Sequence, residues 1–123
     1  CTITANTLAT NGSTLRITAL FSSAANGNSK TARVRFGGAA GTNVSTSTTT
    51  GSAAAFHLIG TIIRLSATSS AVGGSSVGGT VANATQETSA FALTAAQTIV
   101  ATGTTPTAAG DLTFQAMIVE YMP

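Results

Sequence analysis

The chain has 123 residues, 73 of which are Thr, Ala, Ser or Gly, and charged residues make up 7% against about 25% in an ordinary soluble domain. A hydrophobic fraction of 43% with a net charge of +2 excludes charge-driven disorder, and no stretch approaches the roughly 18 apolar residues of a membrane span. The length suits a single domain, residues 1–123, with a sizeable core.

The charges are ordered along the chain. Arg16, Lys30, Arg33, Arg35 and Arg64 precede residue 65, whereas Glu87, Asp111 and Glu120 follow it. If the two halves fold against each other, or against another copy, the signs are arranged to pair. Cys1 is the single cysteine, so no internal disulfide is expected. The missing initiator Met points to a processed protein or a piece of a longer one. A lipidated Cys1, as in a bacterial surface lipoprotein or adhesin domain, is the alternative. Against it, Thr2-Ile3-Thr4 alternates like a strand from the outset.

Strand signals dominate, because β-branched residues are abundant and the usual helix formers are scarce. Thr14–Phe21 sets Leu15, Ile17, Ala19 and Phe21 on one face and Thr14, Arg16 and Thr18 on the other, with Leu20 interrupting the polar side. Lys30–Phe36 repeats the pattern, with Ala32, Val34 and Phe36 inward and Thr31, Arg33 and Arg35 outward. The intervening Asn26-Gly27 suits a tight turn, so the two runs are predicted to pair as an antiparallel hairpin. Residues 41–51 read as a short edge strand or a loop.

Phe56–Leu65 is the most apolar run, and both of its faces read as buried. A central strand, or one whose outer face meets another subunit, would account for that, and Gly60 is a candidate bulge. Ser69–Thr80, rich in Gly and Ser, reads as a loop of about a dozen residues. Short strands are predicted at 81–86, 89–93, 97–101 and 112–121. In the last, Leu112, Phe114, Ala116 and Ile118 share one face, and Gln115, Met117, Val119 and Tyr121 the other. About eight strands and no convincing helix predict an all-β fold, an antiparallel β-sandwich or jelly roll.

Catalytic combinations are few. His57, Asp111 and a serine could formally make a triad, but the chain has no Gly-x-Ser-x-Gly elbow, and His57 reads as a strand histidine packed at an interface or capped by one hydrogen bond. Glu87 with Glu120 would make a glycosidase pair, yet the chain has no Trp and one Tyr to stack a sugar. No two metal ligands have a recognised spacing. The Gly73–Gly79 segment lacks the Lys and helix of a phosphate loop, and no aromatic alternates with Arg16, Arg33 and Arg35 as a nucleic-acid binder requires. No enzyme activity, metal, cofactor or nucleic-acid partner is expected. What remains is surface: few charges, small residues and a two-sided apolar strand suit a subunit of a symmetric assembly. Its interface is expected at Phe56, His57, Ile59, Ile63, Leu65 and Tyr121.

Four segments carry a family likeness: Ala5–Ile17, Asn26–Gly38, Ile62-Ile63-Arg64 and Ala109–Thr113 running to Val119-Glu120. In order and spacing they resemble a small all-β module of tailed-bacteriophage virion proteins, found in tail fibres, head fibres and capsid decoration proteins. The resemblance implies a jelly-roll-like, usually homotrimeric subunit in the virion, without catalytic activity, whose partners are other copies of itself and the major capsid protein or other virion proteins. It further implies that Lys30, Arg33, Arg35 and Arg64 are structural cations meeting Asp111 and Glu120 within or between subunits. A fibre module binding a host surface glycan is the alternative. It would use residues 42–51 and 69–80 as recognition loops, with Thr46, Thr48, Ser75 and Ser76 as candidate contacts.

Overall fold

Alternating β-branched residues produce ten strand segments and no helix among the described residues of the computed structural model. These are residues 1–51, 54–77, 80–81, 87–89, 91, 93–105 and 109–123; for 51, 54, 56, 80–81 and 87–89 the backbone alone is described. The strands are β1 (Thr2–Ile3), β2 (Thr14–Ser23), β3 (Asn26–Phe36), β4 (Thr42–Gly51), β5 (Ala54–Ser66), β6 (Ser69–Val77), β7 (Thr80–Val81), β8 (Glu87–Ser89), β9 (Gln97–Thr104) and β10 (Leu112–Met122). They form two antiparallel sheets. Sheet I has the order β1-β9-β3-β4-β7, and sheet II the order β10-β2-β5-β6-β8. The predicted antiparallel β-sandwich is therefore the architecture of the chain.

The inward stripes are those the alternation predicts. Leu15, Ile17, Ala19 and Phe21 of β2 are buried, as are Ala32, Val34 and Phe36 of β3. The partners differ from the expected hairpin. β2 pairs with β5 and β10, whereas β3 pairs with β4 and β9, so the two strands lie in opposite sheets. Alternation specifies which side chains seek the core, and two such stripes can satisfy it by facing each other across a sandwich as well as by lying side by side. The turn expected at Asn26-Gly27 is not one either: β3 already begins there, and β2 passes into it across the sheets through Ala24-Ala25.

Two segments read as possible loops are strands. Residues 42–51 form β4, and residues 69–77 form β6, which pairs with β5 from His57↔Val77 to Ser66↔Ser69. Gly60 is not a bulge, since the register runs unbroken through Ile17↔Gly60 and Gly60↔Gly74. Both glycines instead admit β4. A Cβ on Gly60 would lie 2.6 Å from Val44 Cγ1, and one on Gly74 would collide with the Val44 carbonyl oxygen and lie 2.9 Å from Ser45 Cα. Val44 is the extra residue where the β3–β4 register slips between Val34↔Ser45 and Arg35↔Asn43. Small residues in β6 are thus the condition for close approach of the sheets, not a sign of a loop.

A second register slip changes the reading of β10. Phe114 pairs with Phe21 and Ala116 with Leu20, leaving Gln115 over. Such an extra residue reverses the facing of everything beyond it. By register Leu112 and Phe114 fall on the core side before the slip and Met117, Val119 and Tyr121 after it, with Phe114 and Tyr121 still about half exposed on this edge strand, and Ala116, Ile118, Glu120 and Met122 face out. Of the remaining predicted strands, 97–101 belongs to β9, 80–81 and 87–89 are β7 and β8, and 82–86, 90 and 92 lie outside the described residues.

Candidate interaction surface

Register defines the outer face of sheet II row by row. Across β10, β2, β5 and β6 the rows read Ala116–Leu20–His57–Val77, Ile118–Thr18–Ile59–Ser75, Glu120–Arg16–Thr61–Gly73 and Met122–Thr14–Ile63–Ala71. Leu65 extends the face along β5. Most of the exposed large apolar side chains of the described residues are here: Leu20, Ile63, Leu65, Val77, Ile118 and Met122, with Ile118 the most open at 55%. One ion pair crosses the face, Arg16 Nε to Glu120 Oε2 at 3.9 Å, with both side chains half exposed. At that exposure it contributes about 0–1 kcal/mol. Two adjoining shallow hollows, of about 150 and 240 Å³, lie over β5 and β6 and share Thr61 and Gly73.

The outer face of sheet I has the opposite character. Thr31, Arg33 and Arg35 of β3 stand opposite Thr48, Thr46 and Asn43 of β4, and opposite Thr104, Thr102 and Val100 of β9. Its polar groups bond to one another. Thr31 and Thr48 hydroxyls are 3.0 Å apart, Arg33 donates to Thr104 Oγ1 at 3.1 Å, and Arg35 donates to the Gly41 carbonyl at 2.9 Å.

Between the sheets, where β2 passes into β3, a buried polar cluster closes one end of the sandwich. Lys30 is fully buried, and its ammonium donates to the carbonyls of Ala24 at 2.9 Å and Asn26 at 3.0 Å. Asp111, 5% exposed, accepts from Asn26 Nδ2 and Asn28 Nδ2, each at 2.7 Å. The Asn28 amide, then the Asn26 amide, hold its carboxyl below the usual carboxylate range against the opposing effect of burial, and the Lys30 charge adds to them. Asn26 therefore serves as a side-chain ligand of Asp111. Its backbone meanwhile opens β3, where the expected turn would have been.

The predicted interface residues separate. His57, Ile59, Ile63 and Leu65 share the outer face of sheet II. Tyr121 faces inward, where its hydroxyl reaches Ser13 Oγ at 3.5 Å; the slip at Gln115 exchanges it for Ile118. Phe56 holds the register position opposite Phe21, and its side chain lies outside the described residues. Of the predicted charge pairs, Lys30 and Asp111 meet in the buried cluster, where the Lys30 charge helps hold the Asp111 carboxyl down, while the predicted arginines find other partners. Arg33 and Arg35 bond to neutral oxygens, Arg64 donates to the Leu8 carbonyl, and Glu120 pairs with Arg16, which the expectation omitted. Thr46 and Thr48 stand on β4 and Ser75 and Ser76 on β6, strands rather than loops. Leu20, Val77, Ile118, Met122 and Gly73 are among the members of the face that the sequence reading missed.

His57 faces outward on β5 while Asp111 is enclosed by Asn26 and Asn28, so the two do not form a catalytic pair. Among the described residues no three of His, Cys, Asp and Glu come together. No protein-family model matches the chain, and neither a curated protein nor a solved structure is significantly similar to it.

Proposed function

We propose that this chain is a structural subunit of a bacteriophage virion, an oligomeric capsid decoration or fibre protein without catalytic activity, whose partners are other copies and neighbouring virion proteins. One observation carries the assembly part of this reading: the outer face of sheet II gathers six of the eight exposed large apolar side chains of the described residues around the Arg16–Glu120 pair. The four-segment resemblance to virion modules supplies the virion context. The mechanism is mechanical: burial of apolar area holds copies together, while the polar face of sheet I stays in water. The glycan-binding alternative would act through strands rather than loops, with Thr46 and Thr48 on β4 and Ser75 and Ser76 on β6.

Light scattering across a concentration range tests assembly, and electron microscopy of particles carrying a labelled chain tests location. Oligomers, and label on the capsid or fibre, are expected. A monomer at high concentration, or label away from the particle, contradicts the reading.

A further inference from the structure

Gly73 is a glycine that the subunit itself does not need. Gly60 and Gly74 have β4 pressed against them, but a Cβ on Gly73 would meet nothing within 4 Å. Nor is it among the glycines held at positive φ. A strand glycine that serves neither backbone conformation nor packing costs β-propensity without return. Its effect is the hollow it leaves with Thr61 on the outer face of sheet II.

The side chains around that hollow alternate in size from strand to strand. In the row containing Ile118 the order is large, small, large, small: Ile118, Thr18, Ile59, Ser75. The row containing Met122 repeats it with Met122, Thr14, Ile63 and Ala71. The row between them is large on β10 and β2, with Glu120 and Arg16, and small on β5 and β6, with Thr61 and Gly73.

We propose that this face docks against the same face of a second copy about a two-fold axis that lies in the contact plane, parallel to the strands, between β2 and β5. This rests on the assembly reading above and names its partner. The operation lays β10 of one copy on β6 of the other and β2 on β5, row against row. Ile118 then meets the second copy's Ser75, Met122 its Ala71, Thr18 its Ile59 and Thr14 its Ile63. Glu120 sits over Gly73 and Arg16 over Thr61, so the longest side chains of the face enter its hollow. In each of these three rows a large group faces a small one, the self-complementarity an isologous contact requires. Each Arg16–Glu120 pair is already neutralised within its own copy, so the two copies do not repel. Aligned sheets cross at about 30°, which makes the match closest in the central rows. Four strands by seven residues give a footprint of roughly 450 Å², below the roughly 800 Å² per partner of a standard interface. The pairing is therefore concentration-dependent in isolation and one contact among several in a larger assembly.

The test is sedimentation velocity from micromolar to millimolar concentration, with thermal melting, on the full chain and two variants. Gly73→Val fills open space on a strand, so it should fold and melt at or above the wild-type temperature. It should nevertheless weaken association by about tenfold or more. Arg33→Ala, on the outer face of sheet I, should leave association unchanged. If the wild type associates and Gly73→Val associates as tightly, the two-fold contact is wrong and the assembly reading stands. If the wild type remains monomeric throughout, both fall.

Discussion

The two outer faces of the sandwich are built from the same alternation and have opposite relations to water. On sheet I the outward positions are mostly Thr and Arg, and Thr31, Arg33 and Arg35 bond to neighbouring oxygens. On sheet II they are Ile, Leu, Val, Met and small residues around a single ion pair. Composition alone hides this, because the abundance of Thr, Ala, Ser and Gly averages the two. A chain with 7% charged residues has too few charges to keep both faces polar. Arg33 and Arg35 stand on the outer face of sheet I, whereas the outer face of sheet II carries the Arg16–Glu120 pair among apolar side chains.

The inner and outer positions of sheet II provide the largest test of that contrast. Gly74→Val drives a side chain into the β4 backbone and should destabilise the fold by about 3 kcal/mol, read as a lowered denaturant midpoint, whereas Gly73→Val one residue away should leave stability intact. Next comes the cluster that holds the sheets together at one end. Lys30→Met removes the ammonium donor from two partly buried carbonyls, of which that of Ala24 keeps the Asn26 N–H, and should cost about 2 kcal/mol by urea unfolding, while Arg33→Met, with its head at the surface, should cost under about 1 kcal/mol.

Acid acts on the same cluster. Asp111 is held below its ordinary value of 3.8 in the fold, so the stability it confers is complete above that value. It is lost as pH falls through the lower folded value. Melting temperature measured from pH 6 downward should therefore drop at the acid end more steeply for the wild type than for Asp111→Asn. Ile63→Asp should abolish association while shifting the melting temperature only slightly; an unchanged mass would remove Ile63 from the contact. The smallest effect belongs to Arg16→Ala, which should change monomer stability by no more than about 1 kcal/mol, measured by chemical unfolding.

Strand positions and inward stripes were legible because a period of two is local: Leu15 to Phe21 and Ala32 to Phe36 announce their burial without reference to partners. Which strands pair was not legible, since β2 and β3 satisfy their stripes across the sandwich. β6 escaped because Gly and Ser mark loops as often as close sheet contacts, and only β4 pressing on Gly74 separates the two. Half of the candidate surface was visible in the two-sided apolar pattern of Ile59, Ile63 and Leu65. Leu20 left a signal as the residue that breaks the polar side of β2. Ile118 and Met122 were concealed by the slip at Gln115, which no local pattern marks. Gly73 has meaning only once its empty surroundings are known.

The central claim, that the apolar face of sheet II is a contact between copies, is tested most directly by sedimentation equilibrium of the unmodified chain over increasing concentration. Association through this face gives a mass that rises above the 12.0 kDa of one chain and returns to it in Ile63→Asp. A single 12.0 kDa species at every concentration would contradict it.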